Sequence, residues 1–458
     1  MVKSYTYLDL DTSRYHLDIS SKSELLKFVA SSCLVVMVYY ISLYLIIDSN
    51  AFLSFLSYSI LGIIPVLLYT RLLIGSNLAI KLVLFAYVIK SIIGIVFYLI
   101  LIDPNYFGDG RQVAMTAVED FSSMYSTILN YVDKFDFTYQ SIVDNDYGSS
   151  HPELYALMSV PFRFTGGYYL SIAPFNVICS SMMAVIISYI TKLREGNFYL
   201  ALLLALFNPL SLTSTYFFRD LFGQLLASFA LVLVVLSNTS RIITIFIASY
   251  LFYLQRTPYV VIPIASYVLY MALQNKSGKM RFYTIIAVLA SVVLLITFSA
   301  FLGNILEKGN YTEAQTKVVT YVLFPVRYII TIIGPFPWTQ IFDPVPEKKF
   351  FWQDFIFSSA LFLITFKYFP IIWKKIKNKE TIDYLTVVAL MLMLMGVMTT
   401  PPHLGYVGWS LCFFLPTFVN YINIRQIAYF TIRFFLIMIV FNIIYTSLGM
   451  GGVLKLIS

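Results

Sequence analysis

The chain has 458 residues, of which 59% are hydrophobic and only 12% are charged, and its mean hydropathy is +0.80. An ordinary soluble domain has roughly 25% charged residues, so this composition excludes a soluble globular protein. The formal net charge of +8 would suggest nucleic-acid binding in a soluble chain, but here Lys and Arg concentrate in short connections between apolar runs, where they set membrane topology.

Continuous apolar runs recur along the chain and predict about 13 membrane-spanning helices. Runs of about 20 residues match the hydrocarbon core of roughly 30 Å, and lipid offers the backbone no hydrogen-bond partner, so the spans must be helical. The runs do not alternate with polar residues, which excludes a transmembrane β-barrel. We therefore predict one all-α, polytopic membrane domain over residues 1–458. The predicted spans are 29–47, 51–70, 82–102, 167–190, 198–213, 218–236, 242–255, 258–273, 283–302, 354–372, 382–399, 404–421 and 429–449.

Basic residues in alternate connections predict the orientation of these spans. They are Arg71, Lys81, Lys192, Arg194, Arg241, Lys276, Lys279, Arg281, Lys374, Lys375, Lys377, Lys379 and Arg425. The positive-inside rule makes these connections cytoplasmic, with the N-terminus in the cytoplasm and the C-terminus outside. Segments 103–166 and 303–353 then form two large loops on the outer face. Their apolar pieces at 154–162 and 318–334 are too short or too interrupted to span, so we expect interfacial or re-entrant helices there.

The first outer loop contains the strongest candidate for a catalytic group, Asp109. This residue lies between Gly108 and Gly110, so the backbone can approach a ligand closely and no neighbouring side chain crowds the carboxylate. A carboxylate held at a membrane edge is a suitable general base for a sugar hydroxyl. The alternative interpretation is a hydrated loop acid. Arg111 follows in the same loop and is a candidate for binding phosphate.

Further candidates cluster at predicted outer ends of spans. Arg219 and Asp220 are adjacent there, and an arginine near hydrocarbon is costly enough to be a functional candidate. Arg327 is also predicted near the outer interface, where guanidinium can pair with phosphate oxygens. His151 precedes Pro152 at the predicted return to the membrane and can donate to a phosphate. Interfacial anchoring, snorkelling and a bond to a loop carbonyl are the alternatives for these residues.

Metal and nucleotide chemistry receive little support from the sequence. His403 follows two prolines and is the second histidine predicted on the outer face, after His151. Two histidines do not make a metal site; a divalent ion is compatible with the acidic residues nearby, but no ligand spacing indicates one. No P-loop, dinucleotide fingerprint, nucleophile elbow or zinc motif is present, which argues against a cytoplasmic nucleotide-driven machine.

Three segments, FGDGRQVAMTA, HPELYALMSVPF and NPLSLTSTYFFRDLFGQLLASFAL, give the chain its resemblance to a known family. In this order they resemble the GT-C membrane glycosyltransferases, particularly the protein-mannosyltransferase-like family 39 and its bacterial relatives in surface-polysaccharide synthesis. The resemblance covers roughly residues 82–236, although two extra spans precede the first outer loop here. The chain also resembles O-antigen and capsule polymerases in size, span number and Ile/Phe/Tyr/Ser/Asn-rich composition.

The resemblance implies a GT-C-like fold and a transferase or polymerase active on the outer face of the cytoplasmic (inner) membrane. A sugar or repeat unit would pass from a polyprenyl-phosphate or diphosphate donor to a lipid-linked glycan acceptor, in partnership with other polysaccharide-assembly proteins. The acid of the family's first outer loop is the proposed general base, which corresponds to Asp109, with Asp103 second. Positions His151, Arg219 and Asp220 carry over by motif.

In this hypothesis Arg219, with His151 and Arg327, stabilises the departing phosphate, while Arg111 and His403 complete the set of candidates for binding the lipid-linked sugar. No soluble cofactor is required, because the donor's lipid tail would lie between helices. Two other classes stay open: a transporter of lipid-linked glycans, which Lys90 inside the third predicted span favours, and a non-catalytic scaffold of an envelope complex.

Overall fold

The computed structural model of the chain is a bundle of α-helices. It describes residues 22–101, 119–134, 152–207, 219–237, 241–255, 257–274, 286, 370, 372–374, 377–378, 382–399, 410–419 and 423–447. The helices there are α1 (Lys22–Tyr44), α2 (Ala51–Leu73), α3 (Asn77–Leu101), α4 (Glu119–Lys134), α5 (Pro152–Phe164), α6 (Ile172–Leu193), α7 (Phe198–Leu206), α8 (Arg219–Leu236), α9 (Arg241–Gln255), α10 (Ile262–Gln274), α11 (Tyr384–Thr399), α12 (Ser410–Phe418) and α13 (Ile424–Ser447). Short 3₁₀ helices at Tyr169–Ser171 and Thr257–Val261 precede α6 and α10, and no described residue lies in a strand.

Helix α6 is the centre of the bundle. The apolar window that runs through it is 94% buried, against 22% for the window in α1. The peripheral helices turn large apolar side chains outward, as Met37 does in α1, Phe85 in α3 and Phe246 in α9. An exterior of this kind is costly in water and is favourable against lipid tails.

Four helices are long and apolar enough to cross a membrane. They are Lys22–Tyr44, Ala51–Leu73, Asn77–Ile95 and Tyr169–Leu193. The coarse prediction of an all-helical chain with membrane-length apolar helices is therefore confirmed for the described residues. The prediction of about 13 spans is untested, because the predicted spans 283–302 and 354–372 lie almost entirely outside them.

One end of the bundle, which we call the basic end, contains Arg71, Lys192 and Arg194. The ends of α2 and α6 meet there, where the Lys192 ammonium donates to the Ile74 carbonyl at 2.6 Å. The starts of α1, α3, α7 and α11 also lie at this end. Three side-chain hydrogen bonds fix them: Tyr189 to Glu24 at 2.6 Å, Ser76 with Tyr199 at 2.8 Å, and Arg194 to Asp383 at 2.6 Å.

The opposite end of the bundle contains the start of α2 and the ends of α4 and α5. Ser54 near the start of α2 donates to the Thr165 carbonyl, just after α5, at 2.9 Å. The guanidinium of Arg163 in α5 donates to the Val132 carbonyl near the end of α4, also at 2.9 Å. The ends of helices α4 and α5 therefore lie at the end of the bundle opposite to Arg71, Lys192 and Arg194.

Helix α7 covers only the first part of the predicted span 198–213. The helix ends at Leu206 with Phe207 as its C-cap, and residues 208–213 lie outside the described residues. The sequence continues Asn208-Pro209, and a proline lacks the N–H of the helix ladder and disfavours helical backbone in the residue before it. Nine residues rise only about 13 Å, less than half of a hydrocarbon core of roughly 30 Å.

Candidate functional site

Most residues predicted to be catalytic or to bind phosphate lie outside the described residues. They are Asp103, Asp109, Arg111, His151, Arg327 and His403. Arg219 and Asp220 are described in their backbone, as the first residues of α8. The roles assigned to all eight residues remain predictions. The structure shows the position of the helices that flank them.

The start of α8 lies at the opposite end, beside α5 and α6. The rings of Phe175 in α6 and Phe222 in α8 have centroids 5.5 Å apart, and Phe175 also packs on Phe162 in α5 at 5.7 Å. Phe222 is less than one helical turn from Arg219. The last turn of α5 and the first turns of α6 and α8 therefore meet at this end of the bundle, and Arg219 is the first residue of α8.

Two of the described helices, α4 and α5, lie within the first predicted outer loop. The piece predicted as interfacial or re-entrant, 154–162, is part of α5, whose 13 residues are too few to span a bilayer of about 30 Å. Helix α4 was not predicted, although Tyr125, Ile128 and Val132 recur at helical spacing. Ile128 and Val132 are buried while Lys134 is exposed, so α4 is amphipathic.

Lys90 is a fully buried lysine at mid-depth of the bundle. Its ammonium donates to the Ser180 hydroxyl of α6 at 3.1 Å, and that hydroxyl in turn donates to the Val177 carbonyl at 3.2 Å. Lys90 lies 13 residues after Asn77, and Ser180 lies 13 residues before Leu193. At 1.5 Å per residue, both residues are about 20 Å from the basic end.

The helices around Lys90 provide no negative charge. Helices α2, α6 and α7 pack against α3, and the Cys412 thiol of α12 lies within electrostatic range of the ammonium. None of these helices, nor α3 itself, contains an Asp or Glu. Among the described residues, the only hydrogen-bond acceptor for the Lys90 ammonium is therefore an uncharged hydroxyl.

A second buried charged group joins three helices at the basic end. The Arg194 guanidinium pairs with both carboxylate oxygens of Asp383, at 2.6 and 2.8 Å, and the two side chains are each 4% exposed. Thr417 of α12 donates to Asp383 at 2.9 Å and accepts from Arg194 at 3.2 Å. Asp383 immediately precedes α11, where its carboxylate accepts from the Thr386 N–H at 3.4 Å as an N-cap.

This ion pair gives Arg194 a structural contact that the sequence did not indicate. The sequence pattern counted Arg194 only among the basic residues that set topology, and its side chain is enclosed between α6, α11 and α12. The position of Asp383 directly before an apolar run indicates an N-cap, but no local signal connects it with an arginine 189 residues away. The pair holds helices together and touches none of the predicted site residues that the structure describes.

The described residues offer no metal centre: no group of three or more His, Cys, Asp or Glu side chains among them could hold an ion. The three cysteines, Cys33, Cys179 and Cys412, form no disulfide bond. A divalent ion near His403 would lie outside the described part of the chain.

The described residues define a helical protein whose longest helices suit a lipid bilayer. No protein-family model matches the chain, and no curated protein or solved structure matches it either. The resemblance to GT-C glycosyltransferases consequently rests on the three sequence segments alone and stays a prediction.

Proposed function

We propose that the protein is a membrane glycosyltransferase or glycan polymerase that uses a polyprenyl-phosphate or diphosphate donor. The observation that carries this proposal is the arrangement at the opposite end of the bundle. Helix α4, the end of α5 and the starts of α6 and α8 meet there, away from the basic connections. The segment bearing Asp109 follows α3, which starts at the basic end and runs toward this end, and Arg219 begins α8, so one face would present the acid and a cation together.

The proposed reaction is a displacement at the anomeric carbon of the donor sugar. An acceptor hydroxyl attacks this carbon, its proton passes to Asp109, and the bond between the carbon and the phosphate oxygen breaks. The departing phosphate keeps the bonding electrons, and Arg219 stabilises its added charge. Asp220 orients Arg219, while Asp103, Arg111, Arg327 and His403 are the further candidates on this face.

The test is the chain-length profile of surface glycan from cells that carry the wild-type protein or Asp109→Asn at equal membrane levels. Collapse of a ladder to one repeat would indicate a polymerase, and a ladder that lacks one sugar would indicate a side-branch transferase. Asp133→Asn is the matched control, since Asp133 is an acid of the same loop, on α4, and is exposed. A wild-type profile for Asp109→Asn would remove Asp109 from the mechanism.

A second candidate function is transport of a lipid-linked glycan across the membrane. Lys90 at mid-depth and the end of α7 within the bundle favour it, because transporters place ionisable groups and discontinuous helices near the bilayer midplane. The two functions differ in where substrate accumulates when the protein is absent. If the protein is a transferase, cells without it accumulate lipid-linked glycan on the outer face, where an added glycosidase can digest it. If the protein is a transporter, cells without it accumulate the glycan on the inner face, where it is protected from the enzyme.

A further inference from the structure

The charge of Lys90 has no counter-ion among the described residues. Its one hydrogen-bond acceptor there is the Ser180 hydroxyl, which leaves two N–H groups of the ammonium for another acceptor. Burying an ammonium without a negative partner is unfavourable, and intramembrane lysines are usually paired. The sequences of the surrounding helices exclude a carboxylate partner from α2, α6, α7 and α12.

The end of α7 adds a second feature at nearly the same depth. Helix α7 starts at the basic end and rises about 13 Å to Leu206, while Lys90 lies about 20 Å from that end. The C-terminus of a helix carries roughly half a negative charge, so even in direct contact it would offset only part of the charge on Lys90. A helix that stops within the bundle is typical of proteins that bind a charged substrate inside the membrane.

We propose that Lys90 is the binding site for a phosphate group at mid-depth of the bundle, between α3 and α6. The phosphate oxygens would replace the Ser180 hydroxyl as acceptors and would receive up to three N–H bonds from the ammonium. The ligand is a polyprenyl phosphate or diphosphate if the phosphate comes from the lipid-linked substrate, and inorganic phosphate if it enters alone. The assignment to a lipid rests on the proposed function, whereas the anion site rests on Lys90 itself.

The enclosure of Lys90 indicates how such a site would work. The side chain is 0% exposed, so α3 and α6 must separate for a phosphate to reach it, and the ammonium returns to Ser180 when the ligand leaves. A ligand shifts the equilibrium between the closed and the separated arrangement of α3 and α6 only to the extent that it binds the separated arrangement more tightly. Binding should therefore be accompanied by increased accessibility of Ser180.

The test measures binding to purified full-length protein by native mass spectrometry, with three probes: polyprenyl phosphate, the uncharged polyprenol and inorganic phosphate. We expect wild-type protein to bind polyprenyl phosphate and not polyprenol, and Lys90→Met to lose at least about tenfold in affinity. Lys90→Arg should keep most of the binding. Lys81→Met is the matched control, because Lys81 is an exposed lysine of the same helix at the basic end, and we expect wild-type affinity.

The outcomes separate the inference from the proposed function. Wild-type affinity in Lys90→Met, or equal binding of polyprenol and polyprenyl phosphate, would overturn the phosphate site. Binding of inorganic phosphate that depends on Lys90, without lipid preference, would keep the site and assign it to the free ion. Lost lipid binding in Lys90→Met, together with a normal glycan profile in Asp109→Asn, would support the site and reject the proposed transferase mechanism. If the purified Lys90→Met protein is not monodisperse, the same binding measurements are made with Lys90→Gln.

Discussion

The buried pair Arg194–Asp383 permits a sharp test of what holds the helices together at the basic end. Replacing Arg194 by Met keeps a long apolar stem but leaves the Asp383 carboxylate enclosed with only Thr417 and the Thr386 N–H as donors among the described residues. Replacing Asp383 by Leu leaves a guanidinium enclosed in the same way. We expect each single substitution to lower the free energy of unfolding substantially.

The magnitude follows from the geometry of the pair. Two charge-assisted hydrogen bonds of 2.6 and 2.8 Å are lost, and each such bond contributes about 1.5–3 kcal/mol. Breaking one partner of a buried ion pair costs about 3–5 kcal/mol in general, in the same range. The double variant Arg194→Met/Asp383→Leu removes both charges together, so its loss should be smaller than that of either single variant, because a buried pair replaced by apolar groups is often neutral.

The assay is unfolding of purified protein in mixed micelles at increasing denaturant, with a double-mutant cycle over Arg194 and Asp383. Lys27→Met serves as the control, since Lys27 forms a 3.7 Å pair with Glu24 in which the side chains are 43% and 30% exposed. That exposed pair should contribute at most about 1 kcal/mol. Losses below about 1 kcal/mol for both single variants, or a double variant whose loss equals their sum, would refute the reasoning.

Two further predictions concern positions where the structure constrains the side chain. Gly166 and Gly75 both have positive φ, at +71° and +72°, but a Cβ on Gly166 would also collide with the Asp48 carboxylate, whereas the nearest atom to one on Gly75 is 3.8 Å away. In the same micelle assay, Gly75→Ala should therefore lower the free energy of unfolding by about 1–2 kcal/mol, and Gly166→Ala should lower it by clearly more. Equal losses for the two variants would contradict the close contact between residue 166 and the Asp48 carboxylate. Lys90→Met should unfold at the same denaturant concentration as wild type or a higher one, because it replaces a buried polar group, whose one hydrogen-bond partner among the described residues is a hydroxyl, by an apolar side chain. A large loss of stability would show that Lys90 has a structural counter-ion.

Much of the helix pattern could be predicted from the sequence, because a lipid-facing helix must be continuously apolar over a fixed length. The runs 51–70, 218–236 and 242–255 correspond to α2, α8 and α9 within three residues at each end. Helix α1 was predicted to begin at residue 29 but begins at Lys22, since its first turns are polar and lie at the basic end, where Glu24 accepts from Tyr189. Hydropathy detects the apolar core of a helix and misses its polar ends.

The remaining features depend on contacts that a hydropathy pattern does not contain. The pairing of Arg194 with Asp383 requires α6, α11 and α12 to meet, and neither residue differs locally from any charge beside an apolar run. The early end of α7 had a local signal, the Asn208-Pro209 step, but the apolar residues beyond it extended the predicted span. Lys90 was noticed as a charge within a span, yet its burial and its partner Ser180 depend on the packing of α3 against α6.

The position of Lys90 bears directly on the scaffold hypothesis. A lysine at the centre of a membrane helix lowers the favourable free energy of insertion by roughly 2.5–3.5 kcal/mol. A purely structural bundle has no need of this residue, since leucine at position 90 would insert more favourably. The burial of Lys90 about 20 Å from the basic end therefore supports the proposed binding of a charged ligand inside the bundle over a purely structural role.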